Sequence, residues 1–384
     1  MPVILAYQDF PKLFDALQAQ GWTTVGPTVR DGAIVLDKIS SVNDLPLGLR
    51  DQQAEGSYRL RSEALESNDD QPYLFGYNNG PVSAKKFLHA SRAVLWEGDK
   101  QTNPPQSTSE NGKLSTPVAF LGLHPCDLQA IFRQDEVLLR GPFEDALYAE
   151  RRRNILLIVV NCTHPGATCF CSSMQTGPRA IENYDLAITE LKDEQGHRFL
   201  LEAGSHRGDD LLKELPASEA TSQEIESVAG QFVLAEQHMG RQLDLSGLRE
   251  ILINQVEHPH WETIAKRCLG CGNCTSVCPT CFCVTIEDST SLNGQTARRE
   301  RRWDSCFTLD FSYIHGGSVR PSAKSRYRQW MMHKLATWND QFGTPGCVGC
   351  GRCITWCPVG IDITAEAAAI REQAKTTEVR DGNN

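Results

Sequence analysis

No apolar run in this chain approaches the roughly 20 residues that a membrane-spanning helix needs. The start, Met1-Pro2-Val3-Ile4-Leu5-Ala6-Tyr7-Gln8-Asp9-Phe10, has no basic region, no apolar stretch and no small-residue cleavage site, and no twin-arginine signal is present. The expected compartment is therefore the cytoplasm. No GxGxxG follows a strand-like run and no Walker loop occurs, so neither common cradle for nucleotide phosphates is encoded. Positive charge is outweighed: 38 Lys and Arg face 48 Asp and Glu, for a net charge of −10. That balance disfavours nucleic acid and anionic membranes as partners. Two local basic runs, Arg151-Arg152-Arg153 and Arg298-Arg299-Glu300-Arg301-Arg302, read as solvated faces or as docking patches for an acidic subunit or a cofactor phosphate.

Cysteine is missing from long stretches but abundant in two places. Four of the fifteen lie between Cys126 and Cys171, and eleven lie between Cys268 and Cys357. In a reducing compartment, thiols at that density read as metal ligands rather than disulfides.

With 384 residues the chain is too long for one ordinary core, and its patterning divides it. Residues 1–245 form the expected α/β domain with a mixed or partly parallel sheet, loosely defined over 1–116 and with a polar linker at 101–116. Val118–Leu123 and Ile155–Val160 are continuous apolar runs of buried-strand type, and Asp185–Leu191 alternates as a third strand. Asp127–Leu139 between the first two reads as a helix, a strand–helix–strand order that favours parallel pairing. Residues 246–384 form the expected second, mainly α-helical domain, with helices over Leu248–Trp261 and Arg326–Trp338.

That second domain carries a repeated spacing. Cys268-x2-Cys271-x2-Cys274-x3-Cys278-Pro279 recurs 79 residues later as Cys347-x2-Cys350-x2-Cys353-x3-Cys357-Pro358. This is the bacterial ferredoxin pattern, in which three thiolates reach one cubane and the fourth cysteine ligates the other cluster. The expected ligand sets for two [4Fe–4S] clusters are Cys268, Cys271, Cys274 and Cys357, and Cys347, Cys350, Cys353 and Cys278. Zinc sites instead pair their cysteines across a spacer. The long gap between the motifs points to the α-helical ferredoxin module of larger redox enzymes.

Seven cysteines remain. Cys126, Cys162, Cys169 and Cys171 fall at or just beyond the ends of the two apolar strands, the edge where α/β proteins bind ligands, and are candidates for a third [4Fe–4S] cluster. His124 and His164 nearby are either structural or act as ligands or proton donors. Cys281, Cys283 and Cys306 could hold a metal with a fourth ligand such as His315, or pack as buried thiols.

Several segments together resemble one family: His124-Pro125-Cys126-Asp127-Leu128, Asn161-Cys162-Thr163 with Cys169-Phe170-Cys171, Cys278-Pro279-Thr280-Cys281-Phe282-Cys283, Arg301-Arg302-Trp303-Asp304-Ser305-Cys306, His315-Gly316-Gly317, Arg320-Pro321, Arg326-Tyr327-Arg328 and Cys347-Val348-Gly349-Cys350-Gly351-Arg352-Cys353. In this order they are similar to the beta subunit of soluble cytoplasmic [NiFe] hydrogenases of the sulfhydrogenase type. The A subunit of anaerobic sulfite reductase is a close relative. The match spans residues 118–363 and is loose over the first hundred.

The resemblance implies a non-catalytic electron relay between a flavin subunit that exchanges hydride with NAD(P)H and the small and large [NiFe] hydrogenase subunits. It also implies a role for the Cys126 group. No CxxC pair of the nickel–iron kind stands outside the cluster motifs, and no nucleophile–base signature is visible, so no catalytic residue is expected. Two other readings stand beside this one. Either the electrons go to a sulfite reductase, or the α/β domain has a cluster- or thiol-based redox site of its own.

Overall fold

A computed structural model of the chain describes residues 1–62, 71–78, 80–99 and 116–381; most of the linker expected at 101–116 lies outside them. The N-terminal strands are β1 (Val3–Ala6), β2 (Thr23–Arg30), β3 (Ala33–Lys38), β4 (Leu49–Ala54), β5 (Ser57–Ser62), β6 (Arg92–Asp99), β7 (Val118–Leu123), β8 (Ile155–Val160), β9 (Leu186–Asp193), β10 (Gly196–Ala203) and β11 (Ser218–Glu219). Eight of them form one mixed sheet in the order β11-β1-β10-β9-β8-β7-β2-β3. The central ladders β2–β7, β7–β8 and β8–β9 are parallel and the flanking ones antiparallel.

The continuous apolar runs are explained by cover on both faces. Along β7 and β8, Leu121, Leu156, Ile158 and Val160 pack into one core with Phe10, Leu17 and Leu211. Phe120, Leu123, Leu157 and Val159 alternate with them into a second core with Leu128, Ile131 and Tyr148. The latter three come from the helices Pro125–Leu138 and Ala146–Arg153. Because β7 and β8 run parallel, they deliver His124-Pro125-Cys126 and Asn161-Cys162 to the same sheet edge.

The C-terminal region is mainly helical. Its core joins Leu252, Trp261, Ile264, Trp330, Met331, Leu335, Ile354 and Ile370, and Phe170 and Met174 of the α/β region are part of it. The helix expected over Leu248–Trp261 is two helices, Leu248–Asn254 and His260–Arg267, with Pro259 as N-cap of the second. The helix Ala323–Met332 continues into a π-type turn, His333–Thr337, and then into Trp338–Phe342. A hairpin that the pattern did not reveal, β12 (Val284–Thr290) with β13 (Thr296–Trp303), pairs along β6 of the N-terminal region.

The arginine runs are largely committed to ion pairs. Arg152 meets Asp135 at 3.1 Å and Arg299 meets Asp288 at 2.6 Å, while Arg301 pairs with Asp145 and Arg302 with Glu287. Among the described residues, no helix is long and apolar enough to cross a membrane.

Candidate metal centres

The helix His260–Arg267 ends at Cys268, and the chain then turns through Gly270 and Gly272, both in the left-handed region, before the short helix Asn273–Ser276. This turn sends Cys268, Cys271 and Cys274 into one cavity, and Cys357 of the second motif lines the same cavity. Phe307, Tyr327, Trp330 and Ile361 form its apolar wall, and Cys353 borders it. The Gly270 N–H donates to Cys268 Sγ at 3.4 Å and the Ile361 N–H to Cys357 Sγ at 3.3 Å. Cys271 is exposed, so this centre meets the surface.

The second motif repeats the geometry in a more buried place. Gly349 and Gly351, again left-handed, shape the loop that carries Cys347, Cys350 and Cys353, and the Gly349 N–H donates to Cys347 Sγ at 3.4 Å. Cys278 of the first motif is an electrostatic neighbour of all three. The motifs are tied directly by Asn273, whose Nδ2 donates to the Trp356 carbonyl at 2.9 Å. Burial pushes the thiols of Cys274 and Cys353 well up and that of Cys347 to about 12, so thiolates there require a positive counter-charge such as a metal. One counter-charge is already built in: Lys334, fully enclosed on the π-type turn, donates to Cys278 Sγ at 3.0 Å and to Thr280 Oγ1 at 3.1 Å. The Cys278 thiol is accordingly held well below its usual value, first by the hydrogen bond from Cys281 and also by Lys334.

Cys126, Cys162, Cys169 and Cys171 line a third cavity. His124, Asn78, Arg352 and Cys350 complete its wall, so a residue of the second ferredoxin motif borders it. The contact between the two regions is close. The Phe170 N–H donates to the Gly349 carbonyl at 2.8 Å, and a Cβ on Gly349 or Gly351 would stand 2.5 or 2.4 Å from the carbonyl oxygens of Phe170 or Thr168. Glycine is required there by both φ and space. Arg352 reaches across from the second motif to Asp127 at 2.8 Å and to the Gly80 carbonyl at 2.8 Å.

Burial pushes Cys126, Cys162, Cys169 and Cys171 upward, and it lowers His124 to about 4, leaving a neutral ring on the cavity wall. His164 does not line the cavity; its ring meets Thr163 at 3.0 Å and packs edge-on against Tyr73.

Among the described residues, no three His, Cys, Asp or Glu groups converge tightly enough for a single metal ion. The sulfurs are instead spread around cavity walls, an arrangement suited to a polynuclear group. The remaining thiols divide. Cys281 is a neighbour of Cys278, whereas Cys283 is a neighbour of Cys306. His315 is exposed in the turn between Tyr313–Ile314 and Gly317–Ser318 and does not join them.

Lys334, Arg352 and Asn78 were not apparent from spacing. A faint signal existed for Lys334, which falls four residues after Trp330 on a helix face that is otherwise apolar.

No solved structure matches the chain. Residues 267–361 match the family described as 4Fe-4S dicluster domain. The subunit beta of sulfhydrogenase 2 from Pyrococcus furiosus is 28% identical over 366 residues, covering 94% of this chain and 96% of the relative. The chain therefore carries a 4Fe–4S dicluster domain and is similar, along nearly its whole length, to the beta subunit of a sulfhydrogenase.

Proposed function

We propose that this chain is the electron-relay subunit of a multi-subunit hydrogenase, passing electrons between a flavin subunit that exchanges hydride with NAD(P)H and the small and large subunits that hold a nickel–iron centre. The observation that carries the reading is the convergence of cysteines from both motifs. Cys357 shares a cavity with Cys268, Cys271 and Cys274, while Cys278 lies among Cys347, Cys350 and Cys353. These quartets are the proposed ligands of two [4Fe–4S] clusters, and Cys126, Cys162, Cys169 and Cys171 those of a third. When bound, such clusters supply reversible one-electron storage.

The protein's own residues do the rest. Aromatic and aliphatic side chains wall the first cavity, N–H groups of Gly270, Ile361 and Gly349 face the sulfurs, and Lys334 adds a fixed positive charge. Cys353 borders the first cavity and Cys350 the third, which supports a linear order from the exposed Cys271 inward to the sheet edge. In this reading residues 1–245 and 246–384 act as two domains pressed together along that line. All fifteen thiols are free of disulfides, in keeping with a reducing cytoplasm.

Iron and sulfide counting on anaerobically prepared protein tests the cluster number: about twelve irons per chain are expected, and about eight would remove the third cluster. Cys169→Ser should then cost about four irons. The isolated chain should neither take up hydrogen with a dye nor reduce NADP⁺; substantial activity in either assay would end the relay reading. Subunits that co-purify with the chain distinguish a nickel–iron pair from a sirohaem reductase.

A further inference from the structure

The loop that follows Cys171 has two sides. Its inner side closes the four-cysteine cavity, and its outer side forms one bank of an open groove, lined by Ser172, Gln175, Gly177, Arg179 and Ile181. The other bank is the helix Ser222–Gln237, through Ala229, Phe232 and Glu236. Val228 and Phe232 fasten that helix to Leu191 and Leu200 of the sheet. The loop is fastened as well. The Ala180 N–H donates to Asn161 Oδ1 at 2.8 Å, the Cys162 N–H to the Pro178 carbonyl at 3.0 Å, and Thr176 Oγ1 to the Val348 carbonyl at 2.7 Å. A surface already ordered loses little freedom when a partner binds.

The wall between groove and cavity is thin. Pro178 lines the cavity, while Gly177 and Arg179 on either side of it line the groove. A Cβ on Gly177 would stand 3.0 Å from Cys171 Sγ, so a single glycine separates that sulfur from the groove.

Apolar side chains are exposed on both banks. Helical spacing places Ile225, Ala229 and Val233 in one row, and all three are exposed, Val233 at 54%. Across from them Ile181 is 82% exposed. Single exposed apolar residues need no explanation, but a groove with them on both banks marks an interaction site. The rim is acidic. Glu182, Glu226 and Glu236 have no ion-pair partner among the described residues, and the helix carries no Lys or Arg. Arg179 is engaged by Glu202 at 3.2 Å and lies over the Phe232 ring. A second copy of this chain, with its net charge of −10, would bring like charge to this rim, whereas a basic surface is drawn to it.

We propose that this groove docks a redox protein whose apolar edge is ringed by Lys or Arg, and that electrons pass there between it and the four-cysteine centre. The proposal rests on the reading of Cys126, Cys162, Cys169 and Cys171 as ligands of an iron–sulfur cluster. Each encounter moves one electron: the reduced cluster is oxidised by one and the partner's acceptor is reduced by one, or the reverse. The relay then has a separate contact surface at each end, the exposed Cys271 loop and this groove.

The probe is cytochrome c, whose haem edge is ringed by lysines; the same protein with its lysines succinylated reverses the charge. The full chain is purified anaerobically, its iron counted, reduced with dithionite, freed of excess reductant and mixed with ferricytochrome c in a stopped-flow cell. The second-order rate constant is expected to fall about tenfold as ionic strength rises from about 10 mM to about 500 mM. At the lower value, Val233→Lys with Glu236→Lys should slow the reaction about tenfold without loss of iron. Glu287→Lys with Asp288→Lys, outside the groove on the β12–β13 hairpin, should slow it far less, and succinylated cytochrome c should react slowly with every variant. Equal rates for the groove variant and the unaltered chain, with about twelve irons in both, would overturn the docking site. Loss of iron in the groove variant would also overturn it, by placing the effect on the cluster. So would an unaltered chain that sediments as a dimer and becomes monomeric on Val233→Lys, since a second copy would then fill the groove. About eight irons in the unaltered chain would instead remove the third cluster, and with it the electron source that the proposal names.

Discussion

Lys334 donates its ammonium to the sulfur of Cys278 at 3.0 Å from inside a fully enclosed site, 56 residues further along the chain. If Cys278 ligates a cluster, this cation and its N–H···S bond favour the reduced, more negative form. Lys334→Met should lower the midpoint potential of that cluster. A hydrogen bond to a charged group is worth about 1.5–3 kcal/mol, which corresponds to about 60–130 mV for a one-electron couple and sets the upper bound. An EPR-monitored redox titration reads the shift; an unchanged or raised potential would refute the role.

The crossed ligation has its own signature. In a chain whose first cluster is removed by Cys268→Ser with Cys271→Ser, adding Cys357→Ser should cost no further iron, whereas adding Cys278→Ser should deplete the remaining dicluster site by up to about four irons. The opposite pattern would mean that each motif keeps its own fourth cysteine.

Arg352 and Asp127 form an ion pair with both side chains at most 3% exposed, linking the second motif to the helix that begins beside Cys126. Removing one member strands a buried charge, at a cost of about 3–5 kcal/mol. Arg352→Met should therefore lower the urea midpoint sharply. The double variant with Asp127→Leu should recover part of the loss, since no lone charge is left. Equal destabilisation in both would refute the pairing.

His89 gives a pH dependence. Its ring is buried, neither nitrogen has a hydrogen-bond partner among the described residues, and burial followed by the nearby Arg301 charge lowers its pKa to about 4. Between about 6.5 and 4 the unfolded chain binds a proton that the folded chain refuses, so stability falls as pH drops through that window. His89→Phe should flatten the difference in unfolding midpoint between pH 7 and pH 5; an equal fall in both proteins would show that other groups dominate.

What was legible in the sequence was local or periodic. Turn geometry around a cubane demands cysteines three apart with glycines between, and that spacing is visible in 268–278 and 347–357 without any fold. A strand covered on both faces must be apolar at every position, so Val118–Leu123 and Ile155–Val160 declared themselves, as did the helix after the first. The β12–β13 hairpin was hidden because its exposed, charged strands carry no apolar alternation, and its partner β6 lies almost two hundred residues earlier.

Tertiary structure alone decided which distant groups meet. Spacing cannot announce that Lys334 reaches Cys278, that Arg352 seals Asp127, or that Cys350 borders the cavity of Cys126, because each contact joins segments dozens to hundreds of residues apart. The same holds for the leftover thiols. Along the chain Cys281 and Cys283 look equivalent, yet the fold sets one beside Cys278 and the other beside Cys306. Composition and spacing determine what chemistry the chain can hold; the packing of its two regions determines which sulfurs share a site and which charges stand beside them.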